Sequence, residues 1–217
     1  MDRAARTGPV GFDLDLTLIN SRPAILAAWE HVARETGVAI DLAAVDARMG
    51  LKLEDEAAYW FPPAEVGRAA DGYRRHYLRL AQALTTALPG AAAALAAVAA
   101  AGATPVIVTA KSLISVGPSL TAAGLPAAEV YAHVHGPEKA AVLARVRAAV
   151  YVGDTPADMA AARSAGAHAV GVPTGSFDVT KLVAAGAEHV LASLEEFPSW
   201  YAAFRAGPGS SRRSPAV

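Results

Sequence analysis

Apolar segments of strand length alternate with alanine-rich stretches of helical spacing through most of this chain. That alternation restricts the fold more than any other feature. Six segments read as strands: 9–14, 104–109, 130–134, 149–152, 168–172 and 189–191. Val106-Ile107-Val108 and Val150-Tyr151-Val152 are unbroken apolar runs, as expected of strands buried on both faces. Between the strands, residues 91–101, 113–123, 139–148 and 156–165 have helical spacing, and stops follow at Gly102, Gly124 and Gly166. Strand and helix in alternation predict an α/β fold: a Rossmann-like parallel sheet with helices on both faces.

The alternation is interrupted once. Over residues 21–85 apolar residues recur at helical spacing, as in Ile25-Leu26-Trp29-Val32 and Tyr73-Tyr77-Ala81-Leu84, with no strand signal. Ser21 is placed to cap a helix opening at Pro23, and Gly50 and Pro62-Pro63 punctuate the middle. We therefore expect an α/β core from residues 1–20 and 86–206 and an inserted four-helix cap over 21–85. The ends of the insert must lie close together, because the sheet resumes where it stopped. Residues 207–217 have a loop composition and are expected to form a disordered tail.

Composition narrows the function. Net charge is −1, which argues against a general nucleic-acid or membrane-surface binder. Cysteine is absent, which removes disulfides, thiolate catalysis and cysteine metal sites. Residues 1–9 lack the apolar core of a signal peptide, and the most apolar run, 91–101, is shorter than the roughly 20 residues a membrane span needs. The expectation is a soluble, cytoplasmic protein.

Carboxylates cluster where the predicted strands end. The first strand runs into Asp13-Leu14-Asp15-Leu16-Thr17, and the fourth into Gly153-Asp154-Thr155-Pro156-Ala157-Asp158. In open α/β sheets the carboxyl ends of the strands face the ligand crevice. Alone, the first pair could be a polar strand end, Asp154 or Thr155 a helix cap, and Asp158 a surface residue. Thr109, closing Val106-Ile107-Val108, could bind a phosphoryl oxygen or cap a helix. Lys139 sits in a helix's first turn, where the dipole disfavours a cation.

The joint order of these motifs resembles the haloacid dehalogenase superfamily of hydrolases, in its phosphoglycolate-phosphatase-like branch. The resemblance spans residues 10–194 and includes Ser21, Leu88-Pro89-Gly90 and Ala165-Gly166. It implies hydrolysis of a small phosphate monoester through an aspartyl-phosphate intermediate, with Mg2+ as cofactor and a small phosphorylated metabolite as partner. Asp13 would be the nucleophile and Asp15 the general acid and base. Asp13, the carbonyl of Asp15, Asp154 and Asp158 would hold the metal, with Asp158 either a ligand or an acceptor from a metal-bound water. Thr109 and Lys139 would hold phosphoryl oxygens, and Thr17 would order the loop after the nucleophile. Arg48, Lys52 and Lys111 are the further candidates for substrate contacts. Two positions depart from the family pattern: Leu16 stands where Gly is usual, and Ala110 replaces an amide side chain. Alternatives left open are a dehalogenase, a phosphomutase of the same branch, a receiver-type signalling module and a non-catalytic binding protein.

Overall fold

A computed structural model of the chain describes residues 6–126 and 128–207. Beyond Gly207 the expected tail lies outside the described residues.

Six strands form one parallel sheet: β1 (Val10–Phe12), β4 (Pro105–Val108), β5 (Glu129–Tyr131), β6 (Val150–Gly153), β7 (His168–Gly171) and β8 (His189–Val190), in the order β5-β4-β1-β6-β7-β8. These are the six segments that the apolar runs predict. β1 lies at the centre, with Phe12 in register with Ile107 on one side and Val152 on the other. Chain order reverses beside it, so Asp13, Thr109 and Asp154, each following its strand, come together at one carboxyl edge.

Side chains alternate across the sheet. Phe12, Ile107, Val150 and Val152 face a core completed by α5 (Ala91–Ala100) and α10 (Phe197–Ala206), where the Phe197 ring lies 5.3 Å from Phe12. Val106, Val108, Tyr151 and Ala169 face the opposite core, beneath α7 (Pro137–Val146) and α8 (Pro156–Ser164). Gly11 sits on that second face because Tyr151 fills its space: a Cβ there would come within 2.8 Å of the ring.

The insert contains α1 (Arg22–Thr36), α2 (Leu42–Ala47), α3 (Leu53–Ala57) and α4 (Pro63–Leu84), with its own apolar core of Trp29, Val32, Phe61, Tyr73 and Tyr77. Its two ends are joined by a ribbon absent from the sequence reading: β2 (Ile19–Asn20) pairs antiparallel with β3 (Thr86–Ala87), and Leu88 N–H donates to Leu18 O at 2.9 Å. Two helices were also not anticipated, α9 (Val179–Ala184) and α10. α6 (Leu113–Ala122) packs against the insert, where the Ser119 hydroxyl meets Tyr77 Oη at 2.9 Å. No helix among the described residues is long and apolar enough to cross a membrane.

Candidate active site

The loop after β1 folds back on itself. Leu18 and Ile19 N–H both donate to Leu14 O at 3.0 Å, and Leu16 takes a left-handed conformation with φ 60°. That region suits Gly and costs a residue with a Cβ roughly 1–2 kcal/mol. The Thr174 hydroxyl donates to Leu16 O and helps hold the turn. The turn points Asp13 and Asp15 into the same cleft.

Asp13, Asp154 and Asp158 are all buried, and one oxygen from each lies within 4.8 Å of the others. Lys139 Nζ, also buried, donates to Asp13 Oδ1 at 2.8 Å and Asp158 Oδ1 at 2.7 Å. Three carboxylates thus face one ammonium, which leaves negative charge uncompensated. Burial pushes the Asp13 carboxyl up to about 7, against the opposing pull of Lys139. Burial also raises Asp154 well above the usual carboxylate range, with Asp13 and Asp158 adding to the shift. Burial works to lower the Lys139 ammonium, but Asp13 and Asp158 outweigh it and hold Lys139 well above its ordinary value. Buried carboxylate oxygens carrying excess negative charge are a donor set that fits a hard divalent cation.

Two glycines make the cluster possible. A Cβ on Gly153 would stand 2.4 Å from Asp158 Cβ, and one on Gly175 would stand 1.9 Å from Asp154 Oδ2. Asp154 is further fixed through Oδ1, which accepts from the Thr17 hydroxyl at 3.0 Å.

Asp158 is neither a surface residue nor a free ligand. Its Oδ1 accepts from Lys139 and, at 3.1 Å, from Tyr151 Oη. Its Oδ2 accepts from the Thr155 hydroxyl at 2.7 Å and the Thr155 N–H at 3.2 Å. Those bonds fill the roughly four acceptor sites of a carboxylate. Burial would raise its carboxyl, but Lys139, Thr155 and Tyr151 outweigh burial and lower it. Thr155, not Asp154, caps α8, and Asp158 completes the capping box. Asp158 thus holds Lys139 in place beside Asp13.

Asp15 has a separate set of partners. Lys111 Nζ reaches both its oxygens, at 2.7 and 3.0 Å, and the Ser21 hydroxyl donates at 2.5 Å. Ser21 was expected to cap α1; it stands at the cap position but gives its hydroxyl to Asp15 instead. Burial works to lower the Lys111 ammonium, yet Asp15 more than offsets it and the group is raised. Lys111 also lies 4.3 Å from the centre of the Tyr77 ring of the insert. Thr109, 1% exposed, accepts from Lys111 N–H and keeps its own hydroxyl proton to offer to the cleft.

The cleft between core and insert encloses about 90 Å³, less than the roughly 150 Å³ cavity that takes up benzene. In this arrangement the space beside the carboxylates suits a small group. Arg48 and Gly50 line the cleft from the insert side. Lys52 does not: its ammonium pairs with Glu138, at the start of α7, at 2.6 Å, and bridges insert to core. Thr17 likewise turns to Asp154 and away from the cleft. Arg48 is held by Glu56, with Nε–Oε2 at 2.9 Å and Nη2–Oε1 at 2.7 Å. Glu56, Gly175 and Tyr151 were not singled out from the sequence as site residues, and Thr155 was read there as a possible helix cap. The acidic run Glu54-Asp55-Glu56 three residues after Leu51 was the available signal for the first.

Comparison with known proteins identifies the family and the fold. A family model for haloacid dehalogenase-like hydrolases matches residues 10–136, and a HAD-hydrolase-like model matches residues 125–197. Hexitol phosphatase A of Escherichia coli (strain K12) is 31% identical over 176 residues, covering 74% of this chain and 81% of that protein. The solved structure of a HAD family hydrolase from Deinococcus radiodurans R1, with bound phosphate and sodium, is similar with TM-score 0.64 and 25% identity, over 88% of this chain and 93% of that one. A predicted phosphoglycolate phosphatase from Haemophilus somnus 129PT shares the fold with TM-score 0.77 at 19% identity, over 90% of this chain and 98% of that one.

Proposed function

The chain belongs to the haloacid dehalogenase-like hydrolases, and from that premise we propose that it is a magnesium-dependent phosphatase acting on small phosphate monoesters through a phosphorylated Asp13. The observation that carries this reading is the buried pairing of Asp13 with Lys139 beside Asp154, at the edge of the cleft between core and insert. A relative that is a hexitol phosphatase and a similar structure holding phosphate support the reaction class.

Asp13 attacks phosphorus: its carboxylate forms the new P–O bond as the bond to the leaving alcohol breaks. Asp15 gives its proton to the departing oxygen, then takes one from the water that releases phosphate. In the present arrangement Lys111 grips both oxygens of Asp15. Serving as acid requires Lys111 to let go, and an arriving phosphate dianion offers Lys111 another partner. Thr109 donates to a phosphoryl oxygen, and Lys139 steadies Asp13 while Asp158 steadies Lys139. Asp13 and Asp154, with the carbonyl of Asp15, would hold Mg2+, which when bound offsets the negative charge shared by nucleophile and phosphate. Residues 21–85 would be the moving unit, hinged at the β2–β3 ribbon. That motion would admit the ester and then exclude water.

The test is turnover of a panel of phosphate esters by the purified protein. Activity should require Mg2+, vanish in excess chelator and return on adding magnesium. Full activity in chelator, or none on any ester with magnesium present, would reject the reading.

A further inference from the structure

The cations that could select an acidic substrate are already neutralised by the protein itself. Arg48 lines the cleft, but Glu56 holds it through two parallel hydrogen bonds. Glu56 is 6% exposed, and its Oε1 also accepts from Trp60 Nε1 at 2.8 Å. The guanidinium lies 4.2 Å from the centre of the Tyr59 ring and 5.4 Å from that of Trp60. The pair is therefore fixed in place and carries no net charge. Lys111 is matched by Asp15, and Lys52 by Glu138 outside the cleft. The remaining wall of the insert side is aromatic and aliphatic. Trp29, Tyr73 and Tyr77 form a continuous row of rings, the first pair tilted and the second stacked, with centroids 5.0 and 5.8 Å apart, beside Ile25 and Val45.

Resting on the phosphatase reading, we infer that the site takes phosphate monoesters of neutral, compact alcohols and discriminates against those bearing a second anionic group, with Glu56 as the residue that sets this preference. A carboxylate on the leaving group would face Glu56 across Arg48. It would gain little attraction from a guanidinium whose charge is matched, and it would lose its water. A hydroxyl in the same place loses less. It can also accept from the guanidinium, which has five N–H groups and uses two on Glu56. The aromatic wall suits the C–H faces of such an alcohol. A buried acid that only anchored Arg48 for folding would have no effect on the choice between substrates.

The experiment compares two esters of nearly equal size, phosphoglycolate and hydroxyethyl phosphate, which differ in a carboxylate against a hydroxymethyl group. The wild-type kcat/KM should favour hydroxyethyl phosphate by about tenfold or more, the value of one charge-assisted contact. Glu56→Gln leaves Arg48 with its charge unmatched and should shift the ratio toward phosphoglycolate by a similar factor. A wild-type preference for phosphoglycolate overturns the inference, and so does a ratio that Glu56→Gln leaves unmoved while the variant melts as a folded protein. If Glu56→Gln does not fold, the wild-type ratio alone decides. Binding of both esters to Asp13→Asn, measured by calorimetry with magnesium, separates the two claims. Absence of turnover on every ester with the expected order of binding rejects the phosphatase reading alone. Turnover with the opposite order rejects this inference alone.

Discussion

Lys139→Met removes the ammonium between Asp13 and Asp158 while keeping most of the apolar stem. The two contacts, at 2.8 and 2.7 Å, join side chains that are each at most 6% exposed. At an effective dielectric of about 20 each pair has a gross attraction on the order of 6 kcal/mol, most of it offsetting desolvation. Removing one partner of such a buried pair costs about 3–5 kcal/mol. The stranded carboxylates can escape by staying protonated, and that route costs about 1.4 kcal/mol per pH unit above the carboxyl's unfolded pKa. The sign follows. Asp13 is already raised to about 7 when folded, so its ionisation lowers stability as pH rises from the ordinary carboxylate range through about 7. Loss of Lys139 enlarges that penalty. Urea denaturation in chelator should show Lys139→Met destabilised by about 3–5 kcal/mol near pH 8 and by clearly less near pH 5. A loss under about 1 kcal/mol at both, below any buried-pair value, would refute the electrostatic account, and so would a loss that grows as pH falls.

Three further outcomes follow from the same geometry. Gly175→Ala places a Cβ 1.9 Å from Asp154 Oδ2, so magnesium affinity, read by calorimetry, should fall by at least about tenfold, the range seen when groups supporting a ligand are disturbed. Leu16→Gly relieves a left-handed leucine while removing a buried side chain; the net loss, from denaturant melts, should stay under about 2 kcal/mol, where ordinary buried leucine truncations run to about 2–5. Because folded Asp13 and Asp154 both hold protons more tightly than free carboxylates, magnesium binding should release protons and weaken as pH falls through about 7, which calorimetry in buffers of different ionisation enthalpy reads directly.

The strands were legible because their apolar runs have no competing explanation. Val106-Ile107-Val108 and Val150-Tyr151-Val152 are buried as a parallel sheet requires. The acids were legible because Asp13 and Asp154 each follow such a run directly, and a parallel sheet brings successive strand ends to one edge. α9 was not, since six residues carry too little periodicity, and α10 is read from its aromatics only once Phe12 is known to face them. Least legible were the partners. That Lys52 meets Glu138 depends on how the insert sits on the core, that Arg48 meets Glu56 depends on how α3 packs within the insert, and that Ser21 meets Asp15 depends on the turn after β1. Lys52 and Glu138 are far apart in the chain, and nothing local marks them as a pair. Gly175 lies in a loop whose only demand is room for Asp154.

The central claim is that Asp13 carries the phosphoryl group. It is tested by rapid quenching of the wild-type protein during turnover of a radiolabelled ester, chosen as the one with the highest kcat/KM. Peptide mapping then locates the label. The account predicts a burst of label on the peptide containing Asp13, formed before phosphate is released and absent in Asp13→Asn. Steady release of phosphate with no label on the protein at any quench time would contradict it.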